Sequence, residues 1–214
     1  MKVVHIISGG IDSTTLLYEL LLEQHQVECI TFNYGQKHKK EIEMAKKTCK
    51  KLNVNQKIVN ITTLLPLLNS ALTSKQIEIP EGHYKDSTMK LTVVPNRNMI
   101  FSSIAIEYAV SLDYDAISLG VHAGDHTIYP DCRPEFIDAL QNVANVSNYK
   151  KITILRPYLF LDKIDIVKRG IHLLNVDYSL TWTCYKGKEK PCQKCGSCIE
   201  RIEAFKKNNT KDPL

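Results

Sequence analysis

The amino-acid sequence predicts an α/β protein built on a doubly wound, mostly parallel, Rossmann-like sheet. Two observations lead there. Short β-branched runs alternate with amphipathic segments along nearly the whole chain, which is the pattern of βαβ units. The first run, Val3-Val4-His5-Ile6-Ile7, ends at Ser8-Gly9-Gly10-Ile11-Asp12-Ser13, a tight turn that restarts as a helix. Right-handed crossovers wind such units into one twisted sheet that binds ligands beyond the carboxyl ends of its strands.

The expected path is strand 3–7, helix 12–24, strand 27–33, helix 38–52 and strand 57–61. After Leu64-Leu65-Pro66 comes a polar stretch, residues 70–92, with Pro80, Gly82 and His83 and no clear period. It reads as a surface excursion, a candidate lid or oligomer contact, for instance in a homodimer. A helix from Asn98 to Leu112 follows, with Met99, Ile100, Ile104, Ala105 and Val110 suited to burial against a sheet. Strand 116–120 ends in Gly120, helix 133–146 and strand 152–155 come next, and Asp162 reads as the N-cap of a helix that Gly170 stops. The strand ends collect residues 8–13, 33–38, 95–98, 120–133 and 156–163 on one edge. Residues 1–180 are expected to form the α/β domain and residues 181–214 a small metal-binding segment packed on it.

Composition narrows the partners. The formal net charge of +5 suits an anion but is modest for a protein that grips a long nucleic acid, so nucleotide or polyphosphate is expected and direct nucleic-acid binding is not. No apolar run approaches the roughly 18 residues needed to span a bilayer, and Met1-Lys2 leads straight into a strand. A cytoplasmic protein without membrane contact is the reading. Seven cysteines are an odd number for a disulfide framework, and four of them fall in the last 31 residues, which points to a metal in a reducing compartment.

The first turn has the chemistry of a phosphate site. Gly9 and Gly10 let the backbone approach an anion closely, and the N–H groups of Asp12, Ser13, Thr14 and Thr15 open the helix, where its dipole favours negative charge. Neither a G-x-x-x-x-G-K-[ST] loop nor a G-x-G-x-x-G turn is present here. The segment resembles the SGGxDS pyrophosphatase loop of enzymes that split ATP into AMP and pyrophosphate. The nucleotide segment is then Ser8, Gly9, Gly10, Ile11, Asp12, Ser13, Thr14, Thr15, Leu16, Leu17 and Tyr18. An ordinary helix cap by Asp12 or Ser13 is the alternative.

Cys184-x7-Cys192-x2-Cys195-x2-Cys198 precedes a short helix from Ile199. Four thiolates at such spacing can close a tetrahedron around Zn²⁺, and Lys186, Lys188, Lys190 and Lys194 would offset their charge. An iron–sulfur cluster is the rival. Cys29 and Cys49 read as core or surface residues, whereas Cys132 lies on the binding edge and is a candidate nucleophile.

Further blocks narrow the family: TFNYGQKHKKE at 31–41, VPNRNMIF at 94–101, GVHAGDHTIYPDCRPEFI at 120–137 and TWTCY at 181–185. From Val4 to about Arg201 the chain resembles the 7-cyano-7-deazaguanine synthases, nitrile-forming enzymes of the queuosine pathway. It departs from the pattern at Asn96, usually glycine there, and Asn tolerates the left-handed backbone that a glycine would adopt. The resemblance implies an adenine-nucleotide alpha-hydrolase-like fold. It also implies conversion of 7-carboxy-7-deazaguanine, ammonia and ATP with Mg²⁺ into the 7-cyano product, through adenylation, an amide and dehydration.

Under that reading Ser8, Gly9, Gly10, Asp12, Ser13 and Thr14 hold the β,γ-phosphates, with Asp12 nearest Mg²⁺. Lys163 is a second phosphate clamp or a solvated helix lysine, and Arg97 binds phosphate or the substrate carboxylate. Asp131 or Glu135, flanking Arg133, accepts from the guanine-like edge of the base or caps the next helix. Phe32, Tyr34 and Tyr129 stack on flat rings or lie in the core. His5 reads as a core histidine, while His38, His122 and His126 are placed to shuttle protons. A tRNA-thiolating enzyme with the same loop, and a non-enzymatic zinc-knuckle module, are the competing functions.

Overall fold

The structure, a computed structural model, describes residues 1–74, 76–83 and 87–214. Five parallel strands, β1 (Lys2–Ile6), β2 (Gln26–Asn33), β3 (Gln56–Asn60), β4 (Ala116–Ser118) and β5 (Thr153–Leu155), form one sheet in the order β3-β2-β1-β4-β5. The chain winds outward from β1 to β3 and then returns to β4 beside β1. The order therefore reverses between β1 and β4, which is where such sheets open a crevice for ligand.

Among the described residues six α-helices cover the sheet: α1 (Ile11–Leu22), α2 (Lys40–Lys51), α3 (Arg97–Ser111), α4 (Pro134–Val146), α5 (Lys163–His172) and α6 (Gly196–Lys207). Alternation along the strands divides the core into two layers. Val4 packs with Ile30, Phe32 and the apolar faces of α3 and α4, including Ala105, Ile106, Ala109, Ile137 and Leu140. Val3, one residue earlier, packs on the opposite face with Ile11, Leu16 and Leu20 of α1, Ile166 and Val167 of α5, and Ala204 and Phe205 of α6. Cys29 and Cys49 lie in a third patch with Ile7, Leu17 and Ala45, as small core residues.

Several expectations are met at the residue level. Asn96 sits at φ 55°, ψ 19° and is the N-cap of α3, so the asparagine does hold a left-handed turn. Asp162 caps α5 by accepting from the backbone N–H of Asp165 at 2.9 Å.

Two expectations are corrected. Gly170 does not stop α5, which runs on to His172. A Cβ there would stand 1.8 Å from the Tyr178 hydroxyl, so the glycine serves close packing of Tyr178, whose hydroxyl also meets Thr15 Oγ1 at 2.9 Å. The polar stretch 70–92 is not wholly a surface excursion. Leu72 and Met89 are fully buried in the β2–α3 layer, and Ala71 N–H donates to the Leu91 carbonyl at 2.7 Å to tie the two limbs together. Of that stretch, Lys75, Tyr84, Lys85 and Asp86 lie outside the described residues. Among the described residues no helix is long and apolar enough to cross a membrane.

Candidate active site

A cleft of about 190 Å³ opens at the carboxyl ends of β1, β2 and β4, several times the roughly 30 Å³ share of one water. Its lining includes Ser8, Gly10, Asp12 and Ser13 at one end and Phe32, Tyr34, Arg97 and Phe101 at the other.

The loop end is built by close packing. Gly9 has φ +91°, and a Cβ there would lie 2.1 Å from the Glu41 carbonyl of α2, so only glycine lets the turn pass under that helix. Gly10 is the N-cap of α1 and supplies no side chain. Asp12 and Ser13 lie inside the first turn instead, which rules out their reading as the cap. Ser13 Oγ accepts from Ser8 N–H at 3.1 Å and meets Ser8 Oγ at 3.0 Å, fixing the loop across its mouth. Gly120, after β4, presses on the same turn, where a Cβ would meet Ser13 N at 3.0 Å.

His5 braces this turn from below. Its Nε2 stands 2.8 Å from the Ser13 carbonyl and its Nδ1 2.8 Å from Ser118 Oγ. A carbonyl only accepts, so Nε2 carries the proton and neutral Nδ1 accepts from the serine. Burial pushes the imidazole pKa from 6.5 down to about 4, against the Ser13 hydrogen bond. Between those values the unfolded chain binds a proton that the folded one does not, so stability falls as pH falls through this window, by about 3 kcal/mol for this group. Thermal unfolding from pH 7 to pH 4 is expected to show that slope in the wild type and to lose it in His5→Gln; equal slopes would contradict it.

A charge cluster faces the loop. Lys163 Nζ, at the start of α5, donates to Asp12 Oδ2 at 2.5 Å and stands 3.4 Å from Glu200 Oε2 of α6. His122 Nε2 lies 3.8 Å from Asp12 and 3.4 Å from Asp125, while its Nδ1 accepts from Gly124 N–H at 3.1 Å. Burial works against ionisation of Asp12, but Lys163 and His122 outweigh it and hold the carboxyl below the usual range. Burial likewise works against the Lys163 charge, and Asp12, Glu200 and Asp125 overcome it. Glu200 is pushed up by burial despite Lys163. Asp12 Oδ1 and Thr14 Oγ1 are buried without a partner, polar atoms for which a bound ligand would provide one.

At the other end, Phe32 and Phe101 stack at 4.2 Å with planes 9° apart, and Tyr34 lies 5.4 Å from Phe101. These aromatics serve both core and cleft. Arg97 lies among them, its charge favoured by Tyr34 and Asp131 against burial. Asp131 Oδ2 accepts from Asn98 N–H at 2.9 Å, so it caps α3 and not the following α4. Arg133 donates from Nε to the His126 carbonyl at 2.8 Å and is exposed, as is Glu135 on α4; neither lines the cleft. Leu16 points into the core layer shared with α5 and α6 and Leu17 into the patch around Cys29 and Cys49, and Tyr18 Oη accepts from Asp177 N–H at 3.4 Å, beside the short turn at residues 178–180. Burial pushes the Cys132 thiol well above its usual range, and Asp125 and Asp131 add to the effect, which suits a packed thiol and not a nucleophile.

The sulfurs of Cys184, Cys192, Cys195 and Cys198 lie within 4.8 Å of one another. Four thiolates around a tetrahedral zinc stand about 3.8 Å apart, and Cys192 and Cys198 Sγ are 3.9 Å apart. Gln193 takes a left-handed φ of 59°, which turns the N–H groups of Lys194 and Cys195 toward Cys192 Sγ at 3.5 and 3.3 Å. The residues fit a metal ion. The segment also reaches the loop: Trp182 N–H donates to the Gly9 carbonyl at 2.8 Å, and Trp182 packs with Cys184, Cys195 and Cys198.

Glu200 and Asp125 were not anticipated from the sequence. The one available signal for Glu200 was its place two residues after Cys198, in a helix that the metal would anchor near the strand ends.

A glycine-bearing loop at the switch point of a parallel sheet, faced by a lysine–carboxylate cluster, defines an adenine-nucleotide alpha-hydrolase-like protein with a pyrophosphatase loop. The chain belongs to the family described as queuosine biosynthesis protein QueC, whose model matches residues 2–209. It is 51% identical over 213 residues to the 7-cyano-7-deazaguanine synthase of Hahella chejuensis, covering 100% of this chain and 92% of that protein. It is 52% identical over 214 residues to the protein of the same name from Methanoregula boonei, covering 100% and 98%. Among solved structures, NMN synthetase from Francisella tularensis shares the fold, with a TM-score of 0.56 and 14% identity, over 98% of this chain and 78% of that one.

Proposed function

We propose that the protein is an ATP-dependent C–N ligase that converts 7-carboxy-7-deazaguanine and ammonia into 7-cyano-7-deazaguanine, releasing AMP and pyrophosphate. The observation that carries this reading is the two-ended cleft: a phosphate loop with Asp12 and Lys163 at one end, and Arg97 among stacked aromatics at the other. The first suits a polyphosphate and the second a flat, carboxylate-bearing ring. Family membership favours this reaction over tRNA thiolation.

A carboxylate is a poor electrophile until its oxygen becomes a leaving group. Attack of that oxygen on the α-phosphate of ATP gives an acyl-adenylate and pyrophosphate. Ammonia then displaces AMP to give the amide. The amide oxygen must also depart before a nitrile can form, and a second adenylation in the same cleft meets that need. The chain's work is positioning and charge stabilisation. The backbone of Ser8–Thr15 cradles the phosphates, Lys163 clamps them beside Asp12, and Arg97 orients the substrate carboxylate. Mg²⁺ bound with ATP would neutralise phosphate charge, with Asp12 Oδ1 as its protein contact.

The four cysteines hold one structural Zn²⁺, because a closed thiolate shell leaves no open position for substrate. Leu16, Leu17 and Tyr18, which face away from the cleft, are given no role in binding ATP. A thiolate metal site and ATP as substrate both suit a reducing, cytoplasmic compartment.

Product analysis tests the reaction type. AMP and pyrophosphate should appear only with the 7-carboxy base present; ADP as the sole nucleotide product would overturn the reading. Neither candidate carboxylate lines the cleft, but Asp131 is close enough to Arg97 to favour its charge and holds Asn98 of the lining, while Glu135 is exposed. Asp131→Ala should therefore weaken base binding about tenfold or more, with ATP binding retained, and Glu135→Ala should leave both unchanged. Calorimetric titration of each variant with base and with ATP checks this, and the reverse pattern would reassign recognition to Glu135.

A further inference from the structure

The cleft holds a histidine that the phosphate and base sites do not use. His38 is 2% exposed and lines the cleft together with Glu41. Its Nε2 stands 3.1 Å from Glu41 Oε2, and its Nδ1 is buried without a hydrogen-bond partner. A carboxylate only accepts, so Nε2 carries the proton and Nδ1 presents a lone pair. The other histidines differ. His5 and His122 have both ring nitrogens engaged, and His126 does not line the cleft.

The dyad is also held in place. The His38 ring packs on Tyr185 at 5.5 Å. Gly187 lies so close behind it that a Cβ would stand 2.7 Å from the Lys37 carbonyl and 3.2 Å from His38 Cα. Glu41 offers its backbone carbonyl to the face of Gly9 in the phosphate loop, so the His38–Glu41 turn and the loop share one packed unit. A carboxylate-oriented imidazole fixed beside the phosphate site has the arrangement of a general base.

We propose that His38, oriented by Glu41, is the base that removes protons from nitrogen in both halves of the reaction; this rests on the function proposed above. In the first half, ammonia attacks the acyl carbon of the adenylate. The resulting N–H proton passes to His38 Nδ1, and the C–O bond to AMP breaks with its electron pair leaving on the phosphate oxygen, which gives the amide. In the second half, the adenylated amide first releases one proton to solvent. Its remaining N–H proton then passes to Nδ1 while the C–O bond to AMP breaks and the C≡N bond forms. Each imidazolium is paired with the Glu41 carboxylate until it returns its proton to solvent.

The test separates adenylation from nitrogen chemistry. Exchange of labelled pyrophosphate into ATP, with the 7-carboxy base and no ammonium, reads adenylation alone. In His38→Gln this exchange should stay within about threefold of wild type, while formation of amide from acid, and of nitrile from supplied amide, falls about 100-fold or more. Glu41→Gln keeps the ring and should show the same split at smaller size, about tenfold. Should His38→Gln not fold, the Glu41→Gln split decides. Parallel loss of exchange and nitrogen transfer, or unchanged nitrogen transfer, would overturn the proposal. Absence of exchange in the wild-type protein would instead refute the function on which it rests.

Discussion

Replacing Asp12 with asparagine is expected to abolish adenylation, lowering it by about 100- to 1,000-fold, in a protein that still folds. The size of the effect follows from where the charge sits. Asp12 is the carboxylate in the first turn of the phosphate-loop helix, and it is bound to Lys163 at 2.5 Å. Removing its charge leaves Lys163 drawn toward Glu200 and Asp125, which already favour its ammonium form, so the clamp would be pulled off the phosphate path. The same neighbours spare the fold, since the lysine is not left unpaired when Asp12 is neutralised. The pH dependence has a definite sign. The folded Asp12 pKa lies below its ordinary value, so its stabilising contribution is present above the usual carboxylate range and is lost only as pH falls through the depressed value. Pyrophosphate exchange and thermal unfolding of Asp12→Asn check both halves; near-normal exchange would remove Asp12 from the site.

The second large effect concerns the four cysteines. Metal binding to such a closed site is worth about 10–16 kcal/mol in small folding units, comparable with the whole stability of a typical domain, about 5–15 kcal/mol. Here the metal segment is tied into the rest of the chain at several points. Trp182 N–H donates to the Gly9 carbonyl at 2.8 Å, the buried Arg201 guanidinium donates to the Tyr178 carbonyl at 3.2 Å, and Asn208 Nδ2 donates to the Ile164 carbonyl of α5 at 3.0 Å. Cys195→Ser or a strong chelator should therefore release the 181–214 segment, lower the melting temperature by more than about 10 °C, and expose the loop and Glu200 together. Metal analysis should find about one zinc per chain. Stoichiometric iron with visible absorbance, or a metal-free variant with unchanged melting, would contradict the assignment.

What could be read in advance was local. The phosphate turn, the left-handed Asn96, the Asp162 cap and the cysteine spacing each depend on a few neighbouring residues whose backbone or ligand chemistry leaves little choice. What could not be read depends on how distant elements pack. Glu200 and Asp125 reach Lys163 only because α6 and the loop after β4 converge on α5. Proximity in sequence misled in the other direction. Leu16, Leu17 and Tyr18 follow the phosphate turn directly, yet helical rotation carries them into the core or onto the far side. Gly170 has the residue type of a helix stop, but its small size is used against Tyr178. Asp131 stands just before α4 and yet caps α3, because its loop folds back on that helix.

The measurement that bears most directly on the whole account is mass spectrometry of the base after incubation of the purified protein with ATP, Mg²⁺, ¹⁵N-labelled ammonium and 7-carboxy-7-deazaguanine. The account predicts a 7-cyano product carrying one labelled nitrogen, formed together with AMP. Recovery of the base unchanged while ATP is consumed, or accumulation of the labelled amide with no nitrile, would contradict it.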